Sequence, residues 1–414
     1  LISHAEAIAV LVERNQNVLS ITTMGASTLP SAFISAVNDG KNRGYADFVV
    51  DFGAVQGVYP NAAVPFAGLT RYYSKFENID FTFTRCPETI DRFNVRQPVA
   101  AEDDLRSARS FPLSKVWSFH DIDAVNALVS GYRDAVAQSA ICEKGVLEGL
   151  EWSLNEVMDN VLQHSKADEG FVMAQVHSNS KHVALCVFDY GQGILNSFDG
   201  TQYTPRTAGD AITLALKEGV TRNKATNQGN GLWGLNNIVS SNSGVLAISS
   251  GRGLYVASGE QINVANKLQY PSRDHSCTTI DFQIDFDKAI SLPQALGGHE
   301  PVNIKLDNLD DGTGNLHMKV SDWSFGTGTR KSGLAIRNEV MNLMNQASGR
   351  MIIDFTGVGV IASSFADEFL GRLVSEMGVA GFMSRVELRG MNGTVQAIAN
   401  RSIAQRISQA ANGT

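Results

Sequence analysis

Residues 155–165 read NEVMDNVLQHS. Glu156, Asn160 and His164 recur at every fourth position, so a helix sets them along one side, beside an apolar stripe of Leu154, Val157, Val161 and Leu162. A helix with a purely structural role would hide leucines and leave such groups to water, and a solvated polar side is the plain reading of this stretch alone. Two later stretches bring complementary chemistry. In DYGQGI (189–194), Asp189 follows the apolar run VALCVF, and a carboxylate at a strand end can accept a hydrogen bond from an exocyclic amine. Gly191 and Gly193 let a flat ring approach the backbone with no Cβ in the way. In NQGNGLWGL (227–235), Gly229, Gly231 and Gly234 precede or open a helix, whose free N–H groups suit a polyphosphate. Taken singly, D-x-G-x-G is also any tight turn after a strand, and G-x-G occurs in many loops.

These stretches need elements to hold them. Residues 121–164 predict helix almost throughout, and GFVMAQVHS and HVALCVFDYG predict two strands with a turn at 179–180. Residues 194–230 are rich in Gly, Thr and Asn, with a helix at 208–218. GLWGLNNIVSSN reads as a helix, VLAISSGRGLYVASG as a hairpin and CTTIDFQIDF as a closing strand. Helices first and antiparallel strands afterwards describe an α+β domain. On its N-terminal side, a strand at 17–24, a helix at 28–40, the buried strand of YADFVVDFGAVQGVYP, the helix NAAVPFAGLTRYYSKF and the strand IDFTFTR alternate as an α/β module. The start, LISHAEAIAVLVERN, reads as an amphipathic helix or a trimmed end, because Glu6 and Glu13 flank its apolar part and no basic segment precedes it. SLPQALGGHEP (291–301) reads as a linker, and MIIDFTGVGVIASSFADEFLGRL as strand, turn and helix.

The two ends repeat. A shift of 303 residues carries Asp51, Phe52, Val55, Ala63, Phe66 and Gly68 onto Asp354, Phe355, Val358, Ala366, Phe369 and Gly371 without a gap. The predicted order is therefore an α/β module (1–118), an α+β core (119–292) and a second α/β module (301–414).

The order of the boxes carries more than any one of them. An E-x-x-x-N helix, D-x-G-x-G, G-x-G-L and a strand opening on Thr278 and Thr279 follow one another across 121–290. This set resembles the GHKL ATP-binding domain of type II topoisomerase ATPases, heat-shock chaperones, histidine kinases and mismatch-repair proteins. The resemblance implies a core of helices on a mixed, mostly antiparallel sheet, with the polar side of the first helix facing the nucleotide. It implies ATP or ADP with Mg²⁺: Asn160 on the metal and Glu156 orienting or deprotonating the attacking group. Asp189 would hold the adenine amine with Thr278 in support, and Gly191, Gly193 and Ile194 would lie by the ring. Gly229, Gly231 and Leu232 would close on the phosphates, 195–228 would be a lid, and Thr221 in EGVTRN would lie near its phosphate end. His164 reads more readily as a capping or packing histidine at the helix end than as part of the site.

The spacing also sorts the branches. His120 lies too close upstream of Glu156 for the separate phosphoacceptor hairpin of a histidine kinase. Lys305, Lys319 and Lys331, the candidates for a clamp ATPase lysine, fall in the repeated module instead. E-x-x-x-N-x-x-x-H most resembles the bacterial anti-sigma serine kinases. MIIDFTGVGVIASSFADEFLG, with Thr329 and Arg330 before it, resembles the STAS domain and its DUF4325-type relatives, which bind or regulate such kinases. That resemblance puts Ser363 and Ser364 where antagonists carry a phosphorylatable serine. Either serine also reads as a simple helix cap, with Asp367 and Glu368 favouring the helix N-terminus. The N-terminal copy has Pro60 and Asn61 there and lacks the acceptor.

Composition limits the rest. A net charge of −8, with no Lys/Arg run, argues against a nucleic-acid partner. Four well-separated cysteines and the lack of a long apolar run argue for a cytoplasmic protein without disulfides or a membrane span. The expectation is a multidomain ATP/Mg²⁺-binding regulator, an ATPase or a serine kinase, with a protein partner; a homodimer is allowed. A non-catalytic nucleotide-bound scaffold is the alternative.

Overall fold

The computed structural model describes residues 10–101, 111–220, 231–298, 309–310, 312–323 and 326–411. Among the described residues, the chain is a mixed α/β protein with three sheets. Its two compact units are Leu1–Ser107, Pro112–Tyr132 and Leu150–Asp285, and Ala108–Phe111, Arg133–Gly149 and Phe286–Thr414. Among the described residues, no helix is long and apolar enough to cross a membrane.

The first unit begins with a four-stranded sheet of β1 (Val12–Asn15), β2 (Val18–Ile21), β3 (Asp47–Asp51) and β4 (Asp80–Thr84), in that order. The strand pairs β2/β3 and β3/β4 are parallel, connected through helices α1 (Leu29–Asn42) and α2 (Pro60–Phe76). Here the start of the sequence departs from its helical reading. Val12–Asn15 is a strand, because Gln16 turns at φ +55° and folds β1 back antiparallel onto β2, while Arg14 Nε donates to Asp39 Oδ2 at 3.0 Å. Residues 1–9 lie outside the described residues.

The second sheet has eight strands: β5 (Val99–Ala100), β6 (Trp117–Phe119), β7 (Gly170–His177), β8 (His182–Asp189), β9 (Val245–Ser250), β10 (Gly253–Ser258), β11 (Gln261–Ala265) and β12 (Thr278–Asp285). Their order is β11-β10-β9-β12-β8-β7-β6-β5, antiparallel throughout except for β5/β6. Side chains alternate between the faces. On β8, Val183, Leu185, Val187 and Asp189 share one face, while Cys186 and Phe188 point to the other. The second face is where α2 packs. Phe171, Met173, Cys186 and Phe188 join Phe48, Val50, Phe52 and the buried residues of α2 in one apolar cluster. Gly68 permits the approach, since a Cβ there would lie 2.3 Å from ring atoms of Phe188. Gly68→Ala is therefore expected to cost about 2 kcal/mol through overpacking. Urea unfolding checks this, and an unchanged midpoint would contradict the contact.

The helices that follow are α3 (Ile122–Ser139), α4 (Val146–Asn160), α5 (Ala208–Ala215) and α6 (Gly231–Ser241). Asp121 starts α3 by accepting the Ala124 N–H at 2.8 Å. Thr207 and Asp210 form a reciprocal capping box at α5.

In the second unit, β13 (Leu316–Lys319), β14 (Met351–Asp354) and β15 (Val386–Arg389) form a parallel sheet in that order. Helix α7 (Arg330–Gln346) links β13 to β14. A turn at Ser363–Ala366, a π turn at Asp367–Gly371 and α8 (Arg372–Arg385) link β14 to β15, and α9 (Gly393–Ala411) follows. The repeat read from the sequence recurs bond for bond. Asp51 Oδ1 accepts the Gly53 N–H at 3.0 Å, as Asp354 Oδ1 accepts the Thr356 N–H at 2.8 Å. Val55 N–H reaches Phe52 O, as Val358 N–H reaches Phe355 O, both at 2.9 Å. The helix after each turn begins at Pro60 in one copy and Ser363 in the other.

Candidate functional site

The site is built on α4. Leu154, Val157 and Met158 are fully buried, whereas Glu156 and Asn160 are half-buried on the adjacent side. Burial, with the charge of Asp159 added to it, raises the Glu156 pKa above the ordinary glutamate value. The first turn of α6 lies against this side. A Cβ on Gly231 would stand 2.4 Å from Glu156 Oε2 and 3.6 Å from Asn160 Nδ2, so only glycine fits with Glu156 where it is. Leu232 is the next, half-buried residue of α6.

Beyond Asn160 the helix widens into one π turn, Val161–Ser165, closed by Lys166 at φ +62°. This turn receives the D-x-G-x-G stretch. A Cβ on Gly191 would lie 2.1 Å from Ser165 O, Gln192 N–H donates to the same oxygen at 2.8 Å, and Gln192 Nε2 donates to His164 O at 2.7 Å. The backbone of His164 thus serves the packing of the turn.

Asp189 ends β8 at 4% exposure, and its Oδ1 accepts the Gly191 N–H at 2.8 Å. Burial pushes its pKa up to about 7, against the smaller lowering effect of that N–H. Sheet register sets Thr278 of β12 directly beside Asp189, and Ser250 of β9 beside Thr278. Ser250 was not found from the sequence. Its Oγ accepts the Ile194 N–H at 2.8 Å and lies 3.1 Å from both Cys277 O and Thr278 Oγ1. Only the register of β9 against β12 could have revealed it. Gly193, at φ +77°, completes the corner, where a Cβ would meet Ser276 Cβ at 2.7 Å and Ser250 Oγ at 3.0 Å.

Asp189, Gly191, Gly193, Ile194 and Thr278 thus form one connected cluster with Ser250, seated on the end of the helix that carries Glu156 and Asn160, against which Gly231 of α6 lies. Thr221, Gly229 and the last residues of the stretch expected to form a lid lie outside the described residues. The arrangement offers a nearly buried acceptor carboxylate, glycine backbone around it and a helix N-terminus beside a half-buried carboxylate. Among the described residues, no group of three or more His, Cys, Asp or Glu side chains could hold a metal ion.

In the second unit, Thr329 caps α7 by accepting the Ser332 N–H at 3.1 Å, and Arg330 Nη1 pairs with Glu368 Oε2 at 2.8 Å. The Thr329/Arg330 mark and the SFADE mark therefore meet in space. Ser363 is exposed and Ser364 half-buried, but neither caps its helical turn: Ala362 holds the cap position, with no side-chain cap bond. Asp367 and Glu368 are engaged by Arg406 and Arg337, rather than lying free at a helix start.

A family described as "STAS-like domain of unknown function (DUF4325)" matches residues 332–396. No curated protein matches the chain. Among solved structures, the chain is similar to the 43K ATPase domain of Thermus thermophilus gyrase B in complex with an aminocoumarin, at 17% identity and a TM-score of 0.21 over 44% of this chain and 43% of that one. It is also similar to full-length ShkA in complex with AMPPNP, at 12% identity and a TM-score of 0.23 over 73% of this chain and 59% of the other. The chain spans less than two thirds of the length of either.

Proposed function

We propose that the first unit binds ATP with Mg²⁺ and that the protein is a GHKL-type, nucleotide-driven regulator whose STAS-like modules, or a protein partner, receive the signal. The observation that carries this reading is the placement of Asp189. It is a nearly buried carboxylate in register with Thr278 and Ser250, locked by Gly191 and Gln192 onto the end of the Glu156/Asn160 helix. In the ionised state Asp189 would accept the adenine amine, with Thr278 and Ser250 fixing the neighbouring polar edge. Gly193 and Ile194 would lie along the ring. The N-terminus of α6, from Gly231 and Leu232, would face the phosphates together with Gly229 and Thr221.

The residues fit Mg²⁺, an ion that commonly takes one or two protein oxygens and completes its shell from phosphates and water. Asn160, whose Nδ2 lies beside Gly231, would supply such an oxygen after its carboxamide turns over, and Mg²⁺ held there would neutralise phosphate charge. Glu156, with its raised pKa, would act as the general base, since a base works best with a pKa near the working pH.

Incubation of the protein with γ-labelled ATP tests the reaction. Label on the protein that is lost in both Ser364→Ala and Glu156→Ala identifies a serine kinase acting on its own STAS-like module, and Ser363→Ala distinguishes the neighbouring hydroxyl. Free phosphate without labelled protein, abolished by Glu156→Ala, identifies an ATPase. Nucleotide that stays bound and unchanged identifies a scaffold. Failure to bind ATP at all would overturn the proposal.

A further inference from the structure

The end of α2 reaches the far side of the site. Tyr190, between Asp189 and Gly191, lies with its ring 6.1 Å from Tyr72 and 5.6 Å from Phe76. His275, three residues before Thr278, lies 4.9 Å from Tyr72 and 4.8 Å from Phe76. His275 Nδ1 and Tyr190 O are 2.8 Å apart, and because a carbonyl only accepts, Nδ1 carries the proton. The hydroxyl of Tyr190 donates to Asp168 Oδ1 and Glu169 Oε1, which in turn pair with Lys75 and Arg71 of α2. The two loops are joined once more where Cys277 N–H donates to Gly191 O at 3.1 Å.

We infer that α2 is a positioning element for the nucleotide base. Tyr72 and Phe76 clamp Tyr190 and His275, and so hold the strand end carrying Asp189 and the strand start carrying Thr278 at a fixed separation. Neither aromatic residue of α2 touches the nucleotide; they act through the backbone of residues 189–191 and 275–278. The inference rests on the nucleotide reading of the site. It predicts that the N-terminal module governs affinity for the base and leaves phosphate contacts alone.

The test compares Phe76→Ala, His275→Ala and His275→Asn with the unaltered protein, using ATP and inorganic tripolyphosphate as ligands. Phe76 is 46% exposed, so its truncation leaves little cavity. Losing one aromatic contact or the His275 hydrogen bond is expected to weaken ATP binding about tenfold. Tripolyphosphate binding should be unchanged, and His275→Asn, which keeps a donor near the Nδ1 position but not the ring held by Tyr72 and Phe76, should recover only part of the ATP affinity lost in His275→Ala. Amide exchange at Cys277, read without any ligand, should quicken in Phe76→Ala and His275→Ala. Variants that bind ATP as tightly as the unaltered protein, or that lose ATP and tripolyphosphate equally, overturn the inference while the nucleotide site stands. An unaltered protein that binds no ATP overturns both.

Discussion

Replacing Asp189 by asparagine is expected to weaken ATP binding and to stabilise the protein at neutral pH. The binding loss follows from the acceptor. An asparagine keeps the shape and can still accept the Gly191 N–H through its oxygen, but it then presents an NH₂ group to the adenine amine, donor against donor. Losing a charged hydrogen bond should cost about 2 kcal/mol, roughly 30-fold in affinity. The stability gain follows from burial. The folded pKa of Asp189 is about 7, against an ordinary 3.8. A carboxyl with a raised folded pKa contributes stability below pH 4 that is lost as pH rises towards 7. The shift sets a ceiling of about 4 kcal/mol on that loss.

Asp189→Asn removes this loss, so the variant should gain on the unaltered protein steadily from pH 4 to 7 and hold a constant lead above. Asp281 is also pushed up to about 7 by burial, so part of the slope survives in the single variant. The two shifts are alike, so about half of the slope should remain in Asp189→Asn. Urea unfolding at pH 5 and pH 8, paired with calorimetric ATP titration, reads both effects. Equal pH slopes in variant and unaltered protein would mean that Asp189 ionises as if exposed. The same titration carries a second sign. Because the ionised carboxylate is the acceptor, ATP affinity of the unaltered protein should fall about tenfold per unit as pH drops below 7.

The second large effect is structural. Asn342 on α7 is 1% exposed and holds the end of α3 with its whole carboxamide. Its Nδ2 donates to Ala137 O at 2.8 Å and Ala140 O at 2.9 Å, and its Oδ1 accepts the Cys142 N–H at 2.6 Å. The last carbonyls of any helix lack partners within the helix, and here an asparagine supplies them. Asn338 and Asn345, each about one turn from it on the same helix, reach Gln138 O at 2.9 Å and Cys142 O at 3.2 Å. Asn342→Ala strands three buried backbone groups at once. At 1–3 kcal/mol for each unsatisfied group, less what relaxation recovers, the expected loss is about 4 kcal/mol in the second unit. Asn345→Ala, which removes one longer bond, should cost about 1 kcal/mol. Denaturant unfolding followed by amide exchange at Cys142 checks both, and a loss below that of Asn345→Ala would show the three bonds to be weak.

Much of this site could be read along the chain. The line of Glu156 and Asn160 beside a leucine/valine stripe, the carboxylate closing VALCVFD and the glycines after it are short-range patterns, and α4, β8 and α6 form where those patterns fall. The paired strand-turn-helix of the two ends was legible for the same reason. Other features were misread or missed. The strand at Val12–Asn15 is too short to show its alternation, and β11 (Gln261–Ala265) is an exposed edge with Ile262 at 63% exposure, so no buried face marks it. The serines at 363 and 364 looked like caps because serine favours that position, yet the chain enters the helix at Ala362.

Outside β1 and β11, the sequence by itself determined which segments become helix or strand and which polar groups those segments carry, since periods of 3.6 and 2 residues are set by neighbours a few positions apart. Only the tertiary structure decided that Ser250 lies beside Thr278, that α2 covers the second face of the eight-stranded sheet behind Asp189, and that Asn342 closes the end of α3. Each of those depends on strand register or on packing between segments up to 205 residues apart, whose free energy comes from surfaces that meet only after folding.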